Sequence, residues 1–279
     1  HRHVVLEGPP GTGKSTLLRA VSHALGVGFE FVEGNAELTP ARLIGSFDPA
    51  RVLNEGYVPD AFMDGPLVTA MRDGSLLYVE EINRIPEETL NVLITVMSEG
   101  DLSVPRLGRI AAAEGFRLVA AMNPFDAVGT ARISGAVYDR VCRVSVGYQT
   151  HAEEVAIVMR NVPDADDQWV DKVVQVVRLT RDHAELRTGS SVRGAIDTAL
   201  VARSLGHLRG QSATNAAVAR DAGLTALSGR VRVREGVSRT AEEIILEIWA
   251  SVFRVVEDEA NQNGEAGKAT APTGATNSH

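Results

Sequence analysis

The sequence predicts an α/β fold in which a parallel sheet with helices on both faces precedes a smaller, all-helical part. Short apolar runs typical of buried strands alternate with helical patterns up to about residue 147. From residue 151 to residue 260 the apolar residues recur with the helical period alone. We therefore expect an α/β domain over residues 1–150 and a helical domain over 151–260. Residues 261–279 are rich in Gly, Ala, Thr and Asn, which predicts a disordered tail.

A glycine-rich loop between the first predicted strand and the first predicted helix is the most informative stretch of the chain. It reads G-x-x-x-x-G-K-S from Gly8 to Ser15, the phosphate-binding P-loop signature. The alternative, a chance Gly-rich turn, does not explain why a strand precedes the loop and an amphipathic helix follows it. The apolar face of that helix comprises Leu17, Leu18, Val21 and Leu25.

The loop is expected to bind the phosphates of ATP. Its glycines allow successive N–H groups to point at one anion, and the following helix adds the partial positive charge of its N-terminus. We expect Lys14 to contact the β- and γ-phosphates and the Ser15 hydroxyl to bind Mg²⁺. The predicted nucleotide-binding residues are Gly8, Pro9, Pro10, Gly11, Thr12, Gly13, Lys14, Ser15 and Thr16.

The next elements include a segment that fits neither a helical nor a strand pattern. A second strand is predicted at 29–33, and Thr39 and Pro40 open a short helix. Glycines and prolines then interrupt residues 45–65, so the segment is expected to be a long loop that is functional or disordered. The aromatic side chains of Phe47, Tyr57 and Phe62 would be costly to leave on a passive loop.

Three further strands complete the predicted sheet. Residues 75–81 form a buried strand that ends in two carboxylates, and a helix follows with Pro86 at its first position. Residues 101–115 predict a hairpin before the fourth strand at 116–123. Residues 140–146 alternate as the fifth strand.

Polar residues follow two of the predicted strands at the point where each strand ends. Parallel sheets place their sites at this edge, so Glu80, Glu81 and Asn123 should lie near the P-loop. We predict that Glu80 holds the Mg²⁺ shell with Ser15, that Glu81 orients the attacking water as a base, and that Asn123 contacts the γ-phosphate. The alternatives are a strand that leaves the core into solvent and an Asn-Pro turn.

Two arginines are candidates for contacts with the nucleotide. Arg140, at the start of the fifth strand, either acts as an arginine finger or forms a surface ion pair with Asp139 or Glu153. Arg193 lies in the first turn of a helix that Ser190 or Ser191 could cap. A cation at that position is unfavourable with the helix dipole unless an anion binds nearby.

Composition limits the class of protein. The 279 residues carry a net charge of −8 and no basic stripe, which argues against general nucleic-acid binding. No apolar run approaches the length of a membrane span. Cys142 is the only cysteine, which excludes an intramolecular disulfide and fits a reducing, cytoplasmic location.

The motifs together resemble an AAA+ ATPase, and the Glu80–Arg84 block with the insertions at 45–65 and 101–115 resembles the MoxR group in particular. The resemblance implies the sheet order 5-1-4-3-2 and a closing helical lid. It also implies a Walker A loop at Gly8–Thr16, a Walker B pair at Glu80 and Glu81, sensor 1 at Asn123, a finger at Arg140 and sensor 2 at Arg193. One departure is that the first Walker B acid is Glu80, where the family usually has Asp.

The resemblance also implies partners. Proteins of the MoxR group typically work as hexameric rings that remodel a client with a partner holding a von Willebrand factor A-like domain, often in metal or cofactor insertion. The expected function is an ATP-hydrolysing chaperone with ATP and Mg²⁺ as cofactors. The alternatives are the motor subunit of a DNA-acting restriction system, a gas-vesicle assembly ATPase and a small-molecule kinase, although a kinase would need neither the finger nor the insertions.

Overall fold

The computed structural model describes residues 2–124 and 135–266, and only the backbone of residues 254–266. The chain forms two compact units, of which the first ends at Tyr148 and the second begins at Gln149. In chain order the first unit contains β1 (His3–Glu7), α1 (Lys14–Leu25), β2 (Phe29–Glu33), α2 (Pro40–Ile44), β3 (Gly45–Phe47), α3 (Pro49–Glu55), β4 (Phe62–Asp64), α4 (Pro66–Asp73), β5 (Leu76–Glu80), α5 (Glu87–Glu99), β6 (Asp101–Val104), β7 (Gly108–Ala111), β8 (Arg117–Met122), α6 (Gly135–Tyr138) and β9 (Val141–Ser145).

Five of these strands form one parallel sheet in the order β2-β5-β8-β1-β9. Counted along the chain as the five predicted strands, this order is 5-1-4-3-2, so the predicted topology is confirmed. Because side chains alternate along a strand, the sheet has two apolar faces. Leu77 and Val79 pack in the core that contains residues of α4 and α5, whereas Tyr78 packs on the opposite face with Leu18 of α1.

The apolar face predicted for the first helix is mostly exposed. Of its four members only Leu18 packs against the sheet, whereas Leu17, Val21 and Leu25 are 56%, 43% and 71% exposed. Burial of an amphipathic face depends on a neighbouring element, and nothing in the described residues covers this one. The helix itself begins at Lys14 and ends before Gly26, as the sequence predicts.

The punctuated segment at 45–65 is not a loop, and the prediction of a long loop was wrong. Its two ends pair as the antiparallel ribbon β3–β4, and between them lie α3 and a 3₁₀ turn at Pro59–Ala61. The ring of Phe47 contacts both Tyr57 and Phe62 edge to face, with centroids 5.1 Å apart in each pair. These edge-to-face contacts hold the partly exposed segment together, and period-based reasoning did not detect them.

The predicted hairpin at 101–115 is confirmed as β6–β7, with its turn at residues 105–107. Arg106 in that turn has a positive φ of 68°, and its guanidinium lies 3.7 Å from the centroid of the Tyr57 ring. A cation over an aromatic face is attracted by the ring quadrupole. The two insertions are therefore in direct contact.

The helix that follows β5 begins at Glu87 rather than at the predicted Pro86, because Pro86 has an extended backbone with a ψ of 146°.

The second unit is mainly helical. Its helices bury apolar residues, among them Trp169, Val173 and Val176 in one helix and Ile245 and Ile248 in another. Its small antiparallel ribbon departs from the all-helical prediction, because its strands are too short to show a period. The elements are α7 (His151–Asn161), α8 (Asp167–Asp182), β10 (Leu186–Thr188), α9 (Val192–Arg209), α10 (Ala216–Leu227), β11 (Arg232–Val233) and α11 (Ala241–Ala266).

The last helix differs from the expected tail. The backbone of α11 is helical to Ala266, so the helix continues six residues past the predicted start of the tail at residue 261. Residues 267–279 lie outside the described part of the chain. Among the helices of residues 2–124 and 135–266, none combines the length and apolarity that crossing a bilayer requires.

Candidate nucleotide-binding site

The P-loop connects β1 to α1 at the carboxyl edge of the sheet. Gly11 and Gly13 adopt left-handed conformations, with φ of 75° and 79°, which residues with a Cβ rarely adopt. Gly8 is required for a different reason, because a Cβ there would lie 2.0 Å from the main-chain oxygen of Val146 on the strand side of the loop. Thr16 is exposed in the first turn of α1. The loop therefore has the curled backbone that a phosphate cradle needs.

Lys14 is folded against its own loop. Its Nζ donates hydrogen bonds to the main-chain oxygens of Gly8 (3.0 Å) and Pro9 (2.9 Å) and to Thr12 Oγ1 (3.3 Å). The side chain is buried, so its charge is focused on the loop rather than dispersed in solvent. An ammonium group at this position can form charge-assisted hydrogen bonds with phosphate oxygens.

Ser15 and Glu80 meet, as the sequence predicts. The Ser15 hydroxyl lies 3.2 Å and 3.4 Å from the two carboxylate oxygens of Glu80. Sequence reasoning missed a third member, Tyr78, whose phenol oxygen is 3.5 Å from Ser15 Oγ. Burial of the Tyr78 side chain raises its pKa to about 12. Tyr78 is two residues before Glu80 on the same strand, and this spacing, which puts both side chains on one face, was the available signal.

Glu81 occupies a strained position just beyond β5. Its backbone is left-handed, with φ 50° and ψ 43°, and such outliers occur at functional sites. Its carboxylate is 3.1 Å from the guanidinium of Arg84, in a half-exposed ion pair. Gly34 makes the turn possible, because a Cβ there would lie 2.5 Å from the main-chain oxygen of Glu81 and 2.8 Å from that of Glu80. Sequence reasoning assigned no role to Gly34 or Arg84.

Asn123 lies beside the P-loop. It directly follows Met122, whose main-chain oxygen accepts a hydrogen bond from the N–H of Gly8 at 3.1 Å. In the sheet, Met122 pairs with Glu7. The strand register therefore brings the predicted sensor to the edge that also carries Glu80, as expected for polar residues at the ends of adjacent parallel strands.

Arg140 is held within its own unit in this structure. Its Nη1 donates a hydrogen bond to the main-chain oxygen of Ala136 at 2.6 Å, and its Nε donates to the hydroxyl of Ser98. The alternative partner Glu153 is engaged elsewhere, because its carboxylate completes a capping box with Thr150.

Arg193 lies in the second unit, at the second residue of α9, and its side chain is exposed. Ser191 occupies the N-cap position but makes no side-chain capping bond, so neither predicted serine caps the helix through its hydroxyl. Instead, the Ser190 main chain is fixed by Arg181, whose Nε donates a hydrogen bond to its oxygen at 2.7 Å.

The residues at the P-loop fit Mg²⁺ with nucleotide. Ser15 and Glu80 supply oxygen donors, which are the ligands that Mg²⁺ prefers, and a P-loop Mg²⁺ takes its other ligands from phosphate and water. In the described residues no group of three or more His, Cys, Asp and Glu side chains could hold a metal ion by itself. A metal held by one carboxylate, one hydroxyl and the substrate needs no such group.

Comparisons with known proteins identify the family of the first unit. Residues 3–141 match the family of the AAA domain (dynein-related subfamily). An uncharacterised protein of Staphylococcus epidermidis is 29% identical over 203 residues, which cover 71% of this chain and 76% of the relative. The gas vesicle ATPase GvpN of Haloferax mediterranei is 27% identical over 205 residues, or 68% of this chain and 59% of that protein.

Among solved structures, the Thermotoga maritima RuvB Holliday junction branch migration motor has the same fold. The TM-score is 0.54 at 18% sequence identity, and the match covers 79% of this chain and 60% of that one. At this identity the likeness concerns the fold alone. The family match, the five-stranded sheet and the P-loop together show that residues 3–141 form an AAA domain with the AAA+ P-loop fold.

Proposed function

We propose that the chain is a MoxR-like ATPase that binds ATP with Mg²⁺, hydrolyses it in a homo-oligomeric ring and uses the energy to remodel a partner protein. The observation that carries the proposal is the contact between the Ser15 hydroxyl and the Glu80 carboxylate, 3.2 Å apart at the mouth of the P-loop. This contact joins the two motifs that a nucleotide hydrolase needs.

In the proposed reaction each residue has one task. Lys14 exchanges its bonds with the loop carbonyls for bonds with the β- and γ-phosphates. Mg²⁺, when bound near Ser15 and Glu80, would neutralise phosphate charge. Glu81 accepts a proton from the attacking water, which requires that its carboxylate leave the ion pair with Arg84. Asn123 holds the γ-phosphate by a hydrogen bond.

The ring is part of the proposal because Arg140 occupies the position that the motif order gives to the arginine finger of AAA+ proteins. We propose that Arg140 leaves Ser98 and, as an arginine finger, contacts the γ-phosphate bound by the next subunit. Arg193 is proposed as a second phosphate contact, within its own subunit or across the interface. A hexamer is the expected ring size.

The two insertions support a client-binding surface. The ribbon at 45–65 exposes Leu53, Tyr57 and Met63, and the Tyr57 ring contacts Arg106 of the hairpin. Exposed apolar groups on a folded insertion favour a binding role. The proposed client is a protein, reached with a von Willebrand factor A-like partner.

A second candidate function, gas-vesicle assembly, is favoured by the similarity to a gas vesicle ATPase. Production of the chain in a gas-vesicle-forming host that lacks its own such ATPase would test it, and restored vesicles would favour this candidate. DNA-motor activity, the further alternative, predicts salt-dependent binding to DNA, which the net charge of −8 disfavours.

The test of ATP hydrolysis uses three variants. Lys14→Ala should lose ATP binding, because the charge on the phosphates is removed. Glu81→Gln should bind ATP with near-normal affinity and hydrolyse it at least about a hundredfold more slowly. Glu87→Gln, an exposed carboxylate in the first turn of α5, is the matched control and should hydrolyse ATP normally.

Binding is measured with a fluorescent ATP analogue, hydrolysis by phosphate release, and assembly by light scattering with and without ATP. Unchanged ATP affinity in Lys14→Ala would refute the P-loop assignment. A slow Glu80→Gln together with an active Glu81→Gln would reverse the two carboxylate roles. A chain that stays monomeric with ATP would contradict the ring.

A further inference from the structure

We propose that Glu7, acting through Tyr138, positions the segment that carries Arg140 relative to the P-loop of the same subunit. Glu7 and Tyr138 are thus positioning residues for the finger that one subunit presents to its neighbour. The inference rests on the proposed function, in which Arg140 acts on the adjacent subunit's nucleotide. Glu7 directly precedes the P-loop motif, and Tyr138 lies two residues before Arg140 in the finger region; the sequence assigned neither residue a role.

Glu7 is a buried carboxylate at the base of the P-loop. It is the last residue of β1, directly before Gly8, and only 3% of it is exposed. Its Oε1 accepts a hydrogen bond from the Tyr138 hydroxyl at 2.6 Å, and its Oε2 accepts one from Nε of Arg143. A buried carboxylate is costly unless both oxygens are paired, so the two partners determine where the side chain can lie.

Tyr138 and Arg140 belong to one tight turn. The N–H of Asp139 bonds to the oxygen of Gly135 at 3.0 Å, and the N–H of Arg140 bonds to the oxygen of Val137 at 3.0 Å. Val137 is buried in the core of the sheet. These two hydrogen bonds close the turn around Tyr138, so we expect a shift of the Tyr138 side chain to displace the backbone of Arg140, two residues further along the chain.

The P-loop end of the connection is equally constrained. The main-chain oxygen of Glu7 accepts a hydrogen bond from Val146 at 2.7 Å, and Gly8 packs so closely on Val146 that no Cβ fits between them. Glu7 thus has a fixed backbone, and its side chain connects the end of β1, directly before the P-loop, to the finger segment. A structural change at the P-loop and a structural change at the finger segment would therefore both involve the Glu7 carboxylate.

A phenol is well suited to this contact. Burial and the hydrogen bond with Glu7 raise the pKa of Tyr138 to about 12. The raised pKa means that folding favours the protonated phenol, so its contribution is present below the unfolded pKa of about 10 and is lost only as the pH rises through about 12. The hydroxyl donates its hydrogen bond throughout the physiological range.

The test uses Tyr138→Phe, which removes the hydroxyl and keeps the ring. We expect binding of a fluorescent ATP analogue within about twofold of wild type and ATP hydrolysis reduced by about tenfold or more, because misplacement of a reacting group by a fraction of an ångström costs rate. Glu7→Gln, which loses the charge but keeps an acceptor oxygen, should be impaired in the same direction. Thermal melts of both variants report whether the fold is retained.

Mixed rings distinguish positioning of the finger from damage to the variant's own site. In a mixture with Lys14→Ala, whose Tyr138 and Arg140 are intact, part of the hydrolysis lost in Tyr138→Phe should return. Arg140→Ala mixed with Lys14→Ala is the control for the trans mechanism. If that control recovers activity and the Tyr138→Phe mixture does not, the positioning role is overturned while the ring mechanism stands.

Two further results would contradict the inference. Wild-type hydrolysis by Tyr138→Phe alone overturns it directly. If the Arg140→Ala control also fails to recover activity, the finger does not act in trans, and the positioning role falls together with that part of the proposed function.

Discussion

Replacement of Glu154 by Ala should destabilise the second unit far more than removal of an exposed carboxylate. Glu154 is fully buried in α7, and its two oxygens accept hydrogen bonds from Arg181 at 2.7 Å and from Arg178 at 3.0 Å. The change would leave the Arg181 guanidinium, 10% exposed, without its carboxylate. Breaking a buried ion pair in this way costs about 3–5 kcal/mol.

The two arginines do not contribute equally. The Arg178 side chain is 37% exposed and can be hydrated after the change, so its share of the loss is small. Arg181 keeps its bond to the Ser190 oxygen but remains a buried cation. We therefore expect a loss of about 3 kcal/mol, near the lower end of the range for buried pairs.

The assay is urea unfolding followed by tryptophan fluorescence. The only two tryptophans of the chain, Trp169 and Trp249, both lie in the second unit, so the signal reports that unit. Asp197→Ala is the matched control, because Asp197 and Arg230 form an ion pair in which both side chains are about 40% exposed. The Asp197→Ala change should lower the free energy of unfolding by less than about 1 kcal/mol. An equal loss of unfolding free energy in the two variants would refute the reasoning.

Three further outcomes are expected. Tyr78→Phe should raise the Mg²⁺ concentration needed for binding of a fluorescent ATP analogue by about tenfold, because the phenol that contacts Ser15 orients a metal ligand; an unchanged Mg²⁺ titration would contradict this. Gly34→Ala should slow hydrolysis more than it weakens ATP binding, since its Cβ would lie 2.5 Å from the oxygen of Glu81; equal losses in both would not fit. Tyr57→Ala should make residues 45–65 more sensitive to limited proteolysis while basal hydrolysis continues, because the ring joins the ribbon to the neighbouring hairpin; unchanged cleavage would show that the contact is dispensable.

Local patterns were sufficient for much of the fold. The G-x-x-x-x-G-K-S signature located the P-loop, and apolar runs located the five strands, because both signals are contained within a few consecutive residues. The sheet order came from the resemblance to AAA+ proteins rather than from the periodicity. The predicted meeting of Ser15 and Glu80 followed from the rule that parallel strands bring their carboxyl ends to one edge.

The fold of the insertion at 45–65 was beyond local patterns. Residues 45–65 fold because Phe47 contacts Tyr57 and Phe62, which lie about ten and fifteen positions further along the chain, and no periodic signal connects such residues. The first helix shows the opposite error. Its apolar stripe was visible, but the exposure of Leu17 and Leu25 depends on which elements lie beside the helix.

The sequence by itself determined that this chain has a P-loop, two adjacent carboxylates at the end of β5, and a sheet followed by helices, because each is contained in contiguous residues. Only the tertiary structure showed that the Tyr78 phenol contacts Ser15 and that Tyr138 donates a hydrogen bond to Glu7, 131 positions away. Strand register and the packing of a short turn against the sheet bring these side chains together. Such contacts arise from burial and pairing between distant segments, which no local pattern encodes.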